Sequence, residues 1–255
     1  SVAGIKSWKR YKLMKENKYD DPVFFQKYSE MDRSKYGLQG AGEWQEFKKM
    51  MPDFTDKEVL DLGCGYGWHC AYGVQKGAAK VLGIDLSEKM LRQAEKINSH
   101  EKITYQRAAM EDLEFPDHSF DIVLSSLVFH YVKDFPALAE KISRWLRPDG
   151  TFLFSVEHPV FTAYGSQDWY YNEKGEILHF PVDNYYYEGK REAVFLGEKV
   201  TKYHRTLTTY VNTLLKNGFI LENLVEPAPP ENMMDLPGMK DEMRRPMMLL
   251  VRAKK

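Results

Sequence analysis

Asp61, Gly63, Gly65 and Gly67 stand at alternate positions in the stretch VLDLGCGYGWHC, directly after an apolar run. Glycines at this spacing leave the main chain bare and tolerate torsions that other residues resist, so a ligand can approach closely. The helix that follows opens with N–H groups that lack partners. Two ligand classes fit such a loop. A dinucleotide site asks for G-x-G-x-x-G, with its pyrophosphate on the helix N-terminus. Here the spacing is G-x-G-x-G, Trp68 takes the third dinucleotide position, and the Asp61 carboxylate would repel a pyrophosphate. The same carboxylate suits an ammonium group. Asp85, at the end of the second predicted strand, can accept hydrogen bonds from both ribose hydroxyls. An adenosine joined to a cationic amino acid meets both demands, and S-adenosylmethionine is such a compound.

Transfer of a methyl group from that compound is a direct displacement, which needs alignment and exclusion of water more than elaborate catalysis. A base helps where the acceptor must lose a proton. Four candidates sit at strand ends or near a predicted insertion: His130 in SSLVFHYV, His158 and Glu157 at the end of the fifth strand, and His204 in KYHRT. They rank His130, His158, His204, Glu157. Each has a structural alternative: His130 can brace its own loop, and His204 can cap the following helix. Tyr164, Trp169, Tyr170, Tyr171, Tyr185, Tyr186 and Tyr187 form an aromatic cluster whose spacing suits cross-strand packing. One or two of these rings are expected to face the acceptor. Cys64 has no adjacent base and reads as a packing residue.

The elements that must position these residues follow from patterning. Before residue 57 the chain reads as short helices around the loop GLQGAG. Strands are predicted at EVLDL, AKVLGIDL, KITYQRA, FDIVLSSL and TFLFSVEH, with helices between them and Ser87 as one cap. The helix beginning FPALAEKISRWL is expected to stop at Pro148 and Gly150. Alternating strands and helices imply a mostly parallel sheet. From about 159 to 200 aromatic residues and turn signals read as inserted antiparallel hairpins. A helix at TLTTYVNTLLKNGF and strands at ILENLVEP and RRPMMLLVRAKK close the chain, and 227–246 reads as a long surface connection.

The gross numbers narrow the function classes. The 255 residues, 43% of them hydrophobic, suffice for one large α/β domain with an insertion. A net charge of −1 offers no basic surplus for nucleic acid. Cys64 and Cys70 are the two cysteines, too few for a disulfide scaffold and poorly spaced for zinc, so no metal site is expected. No apolar run is long enough to span a bilayer, and the first residues lack the apolar core of a signal peptide. These features favour a cytoplasmic protein acting on a small molecule, without nucleic acid or a membrane span.

Together, VLDLGCGYGWHC, VLGIDLSEKML, AAMEDLEFPDHSFDIVLSS and ISRWLRPDGTFLFSVEHP resemble the class I S-adenosylmethionine-dependent methyltransferases. The similarity is greatest to the small-molecule group that includes the ubiquinone and menaquinone C-methyltransferases (methyltransferase type 11). The resemblance implies a Rossmann-like α/β fold: a mostly parallel seven-stranded sheet with helices on both faces, an N-terminal helical lid at 1–56 and a β-hairpin cap at 159–200. The cofactor domain would then comprise 57–158 and 201–255. It also implies that Asp61, Gly63 and Gly65 form the cofactor loop, with Cys64 and Gly67 lining it. Asp85 would bind the ribose, Leu86 would pack on the adenine, and Ser125 would lie near the methionyl moiety. Many relatives carry an aspartate where this chain has Ala109, so Met110 backbone groups or the Glu111 carboxylate would replace it. Tyr28 and Arg33, in the lid segment, would reach the cofactor carboxylate, Arg33 through its fork of donors. S-adenosylhomocysteine would be the product. Two other readings stand beside this one: a nicotinamide-dependent oxidoreductase, opposed by the loop spacing, and a non-catalytic S-adenosylmethionine-binding protein. No N-P-P-[YF] sequence follows the fourth strand, so amide and exocyclic-amine methylation are not indicated.

Overall fold

The computed structural model describes residues 17–255, and the first sixteen residues of the expected lid lie outside the described residues. Eleven strands are seen among them: β1 (Glu58–Leu62), β2 (Lys80–Asp85), β3 (Ile103–Arg107), β4 (Phe120–Ser126), β5 (Leu146–Glu157), β6 (Tyr170–Tyr171), β7 (Ile177–His179), β8 (Gly189–Phe195), β9 (Glu198–His204), β10 (Ile220–Val225) and β11 (Met248–Lys254). Five helices of eight residues or more accompany them: α1 (Pro22–Ser29), α2 (Trp68–Gln75), α3 (Glu88–Ile97), α4 (Phe135–Trp145) and α5 (Leu207–Lys216).

Seven strands form one sheet in the order β10-β11-β5-β4-β1-β2-β3. The strands β1 to β5 pair in parallel, while β11 runs antiparallel to both β5 and β10. This is the Rossmann-like methyltransferase arrangement that the resemblance implied. Helix starts follow local chemistry. Ser87 accepts a hydrogen bond from the Met90 N–H, Asp134 from Ala137 and Thr206 from Thr209, which satisfies otherwise orphan donors. One boundary differs from expectation. Helix α4 stops at Trp145, three residues before Pro148, and β5 begins at once. Proline biases its predecessor toward extended backbone, so the chain is already in strand conformation at Arg147.

Each face of the sheet is covered. Under α4 and α5 lie Phe129, Phe135, Trp145, Phe152, Phe154 and Tyr210. Under α2 and the short lid helix Trp44–Lys49 lie Trp44, Phe47, Phe54, Cys70 and Leu153. A third, smaller cluster joins Phe24 of α1 to Ala193 and Val200 of the hairpin β8–β9. The insertion holds two separate hairpins, β6–β7 and β8–β9, after a single helical turn at Pro159–Thr162. Strand β9 runs to His204, past the expected boundary at residue 200. No described helix is long and apolar enough to cross a membrane.

Candidate active site

In open α/β sheets the ligand crevice lies beyond the carboxyl ends of the strands. Here β1 ends in Asp61 and Leu62, and the chain then turns through Gly63, Gly65 and Gly67 at φ 74°, 54° and 75°. These left-handed torsions favour glycine. A side chain at Gly63 would strike Val128, and one at Gly67 would strike Tyr105. A cavity of about 80 Å³ opens on this turn. Gly63, Cys64, Gly65, Trp68 and His69 form its floor, Ser126 one edge, and Tyr28, Arg33, Glu43 and Trp44 its lid side. A larger hollow of about 560 Å³ lies at the opposite, amino ends of the strands around Glu58, Lys80 and Arg147. It is remote from the glycine turn, and the crevice rule gives it no part in the chemistry.

The electrostatics of the glycine turn favour a cation. Asp61 is 1% exposed, and its one hydrogen-bond donor among the described residues is the Cys70 thiol, at 3.3 Å. Burial pushes its carboxyl up to about 7, opposed by the Cys70 hydrogen bond and assisted by the charge of Asp85. Asp85 accepts hydrogen bonds from the Gly65 and Ser87 N–H groups, both at 2.9 Å, and burial still raises its carboxyl. Two carboxylates lifted by desolvation fit a ligand that carries positive charge. The wall also holds donors. The indole nitrogens of Trp44 and Trp68 are buried without hydrogen-bond partners, and both rings line the cavity. A carboxylate on the same ligand would satisfy them. S-adenosylmethionine carries an ammonium, a carboxylate and a ribose beside its adenine and sulfonium, so the residues present fit these three of its groups.

The other expected cofactor residues fall in several places. Tyr28 and Arg33 reach the cavity, although both Glu43 oxygens lie 3.0 Å from the Arg33 guanidinium. Leu86 follows β2, its carbonyl accepting from Arg107. The Met110 side chain is buried in the core beside α4, and Glu111 lies in the turn Met110–Asp112 after β3. Ser125 is fully buried, and its hydroxyl donates to the Leu62 carbonyl, tying β4 to β1. Ser126, one residue on, borders the cavity instead. Strand β4 is covered on both faces, so its sequence carries no alternation to distinguish the two serines.

The three histidines ranked as bases are all engaged. The His130 Nδ1 accepts from the Glu157 N–H at 3.3 Å, so its proton is on Nε2 and its lone pair is used. The His158 Nδ1 accepts from the Val160 N–H, capping a helical turn, while Nε2–H donates to Glu226. The His204 Nε2–H donates to the Tyr185 carbonyl, which leaves Nδ1 to accept from the Thr162 hydroxyl. Burial holds all three below the ordinary imidazole range, His130 at about 4. A neutral imidazole has a single lone pair, so none of the three offers a free one in this arrangement. Glu157 is buried and bonded to Lys202 at 2.6 Å and Gln167 at 2.5 Å.

The aromatic cluster also departs from expectation. Tyr164, Tyr170, Tyr171, Tyr186 and Tyr187 are exposed. Trp169 packs on Phe180 and the guanidinium of Arg245, and Tyr185 packs on His204. None of the seven lines the cavity. The aromatic rings that do line it are Tyr28, Trp44 and Phe47 of the lid and Tyr66 and Trp68 at the glycine turn, and behind Tyr28 the Tyr19 ring stacks edge-on with Tyr28 and with Tyr131 of the β4 loop. Their signal in the sequence was faint, because separations of up to 112 residues hide the contact.

Comparison with known proteins agrees with the geometry. Residues 60–154 match the family model of a methyltransferase domain. A solved structure from Listeria monocytogenes, assigned to the S-adenosylmethionine-dependent methyltransferases, is 54% identical with a TM-score of 0.82, covering 86% of this chain and 99% of that one. A second such methyltransferase, from Mesorhizobium loti, is 40% identical with a TM-score of 0.79, covering 86% of this chain and 100% of that one. The ubiquinone biosynthesis O-methyltransferase of Neisseria meningitidis serogroup A is 36% identical over 41% of this chain and 45% of its own length.

Proposed function

Because the chain belongs to the S-adenosylmethionine-dependent methyltransferases, we propose that it methylates a small-molecule acceptor held between the lid and the inserted hairpins. One observation supports the reading: α1 packs through Phe24 on β8–β9 while its Tyr28 borders the cavity on the glycine turn, so the lid joins the insertion to that turn. A walled site of this kind excludes water and suits a compact acceptor better than a macromolecule. The likeness to an O-methyltransferase of quinone synthesis and the absence of a basic surplus support a small acceptor, met in the cytoplasm.

Bound S-adenosylmethionine supplies a methyl group on an electrophilic sulfonium centre. The chain's residues bind and align it. Asp61 would hold the ammonium and Asp85 the ribose, with Gly63, Cys64, Gly65 and Gly67 admitting the ligand to the main chain. Arg33 and the Trp44 and Trp68 indoles would take the carboxylate. Leu86 and the turn around Met110 and Glu111 would border the adenine. Tyr19, Tyr28 and Tyr131 would close the reacting centre to water.

Calorimetry with S-adenosylhomocysteine tests the binding assignments. Asp85→Ala is expected to weaken binding several-fold or more, and an unchanged affinity would remove Asp85 from the ribose site. Incubation with radiolabelled S-adenosylmethionine and a metabolite extract is expected to label a small product. Tight cofactor binding with no labelled product across such extracts would favour a non-catalytic binder.

A further inference from the structure

Strand β9 alternates, and its inward face carries Val200, Lys202 and His204. A lysine on that face is unusual, since its stem normally carries the ammonium to water. Lys202 is 2% exposed. Its ammonium donates to Glu157 at 2.6 Å and to the Gln167 carbonyl oxygen at 2.7 Å, and Gln167 closes the ring by donating to the other Glu157 oxygen. Buried ion pairs are often no more stabilising than apolar residues of the same volume, so stability alone does not account for this one. Gln167 is moreover held at φ 57°, a left-handed conformation that residues with a Cβ disfavour.

The ring uses both Glu157 oxygens and two of the three ammonium protons. The third has no acceptor among the described residues. The ammonium lies 5.8 Å from the centre of the Tyr131 ring, whose hydroxyl is 3.4 Å from that of Tyr19. Tyr19 packs against Tyr28, which lines the cofactor cavity. From Lys202 toward the cofactor turn the wall therefore offers donors, an ammonium and then phenols, while its carboxylate is already bonded. The groups facing Lys202 are Glu157 of β5, His130 and Tyr131 after β4, Gln167 of the insertion, the Phe195 ring of β8 at 5.5 Å and, beyond Tyr131, Tyr19 of the lid. The lone pair of His130 is taken, so it supplies no base.

We propose that Lys202, held by Glu157 and Gln167, is the specificity-determining residue of the acceptor site and selects acceptors that present an oxyanion (phenolate, enolate or carboxylate). The inference rests on the acceptor location given above. An acceptor held in this form brings the electron pair for its new bond to the methyl carbon. As the carbon–sulfur bond breaks, that pair stays on sulfur. No proton has to leave, which fits a site whose histidines are all engaged.

The probe 4-nitrophenol reports the interaction directly, because only its phenolate absorbs visible light. Titrated with the protein saturated in S-adenosylhomocysteine, the bound probe is expected to ionise about one pH unit or more below its value in water, as for a group beside an opposite charge. Lys202→Met is expected to abolish that shift without altering S-adenosylhomocysteine affinity by more than about twofold. Because Lys202→Met strands the Glu157 charge, Lys202→Arg serves as the second variant, and it is expected to retain most of the shift. A probe that titrates as in water, a shift that survives Lys202→Met, or displacement of the probe by the amine 4-nitrobenzylamine at lower concentration would each overturn the proposal. Failure of S-adenosylhomocysteine itself to bind would instead overturn the cofactor assignment of the glycine turn.

Discussion

Asp61 shows how one buried carboxyl can set both stability and affinity. Its ordinary range lies near 4, and burial lifts it to about 7 in the folded chain. The folded state therefore binds a proton more tightly than the unfolded state. Stability contributed by the protonated form is present at low pH and is lost as pH rises toward 7. A bound ammonium acts in the opposite direction, because it favours the carboxylate. S-adenosylhomocysteine affinity is thus expected to fall as pH drops from about 8 to about 6. Asp61→Asn is expected to flatten that dependence and to melt higher than the parent at neutral pH when ligand-free. Calorimetry across pH and thermal melts check both; an equally steep pH dependence in Asp61→Asn would exclude this carboxyl as its source.

The lid acts as an element tied at both ends. Asp20 accepts from the Ser87 hydroxyl at 2.6 Å and the Lys89 N–H at 3.1 Å, so it shares the cap of α3 directly after Asp85. Asp21 then caps α1, with Pro22 at its first position. On the far side, fully buried Phe24 packs on β8–β9, and the Lys27 ammonium reaches the Leu196 carbonyl. The turn Lys18–Asp20 and α1 together therefore link the end of β2 to the insertion. Losing the Asp20 contacts is expected to cost about 1–2 kcal/mol. For Asp20→Ala this corresponds to cofactor affinity lower by about five- to thirty-fold, with faster hydrogen exchange across residues 18–40. Exchange indistinguishable from the parent would show that Asp20 does not latch the lid.

At the scale of the whole molecule, ligand binding and folding are linked. The glycine turn and the lid border one cavity, and the lid is tied in turn to the α3 cap and to β8–β9, so a ligand that binds there only in the folded chain stabilises them together. At about a hundred times its dissociation constant, S-adenosylhomocysteine should add about 2.7 kcal/mol. For a chain of this size that corresponds to a rise of about 5–10 °C in Tm, read by calorimetry at matched protein concentration. A shift of less than about 1 °C at saturation would mean that the closed arrangement is not the one that binds.

The parallel sheet, the glycine turn after β1 and the carboxylate that ends β2 were legible in the sequence, because each depends on local spacing: apolar runs make buried strands, and Gly63, Gly65 and Gly67 admit the left-handed torsions of the turn. Side-chain partners were not legible. Nothing local to His130, His158 or His204 reveals that its lone pair is taken by the Glu157 N–H, the Val160 N–H or the Thr162 hydroxyl. Nothing near Lys202 announces Glu157, forty-five residues away, or that β9 turns this lysine inward. Hydrogen bonds and ion pairs act over a few ångströms, and only the packed sheet, lid and hairpins decide which distant residues come that close.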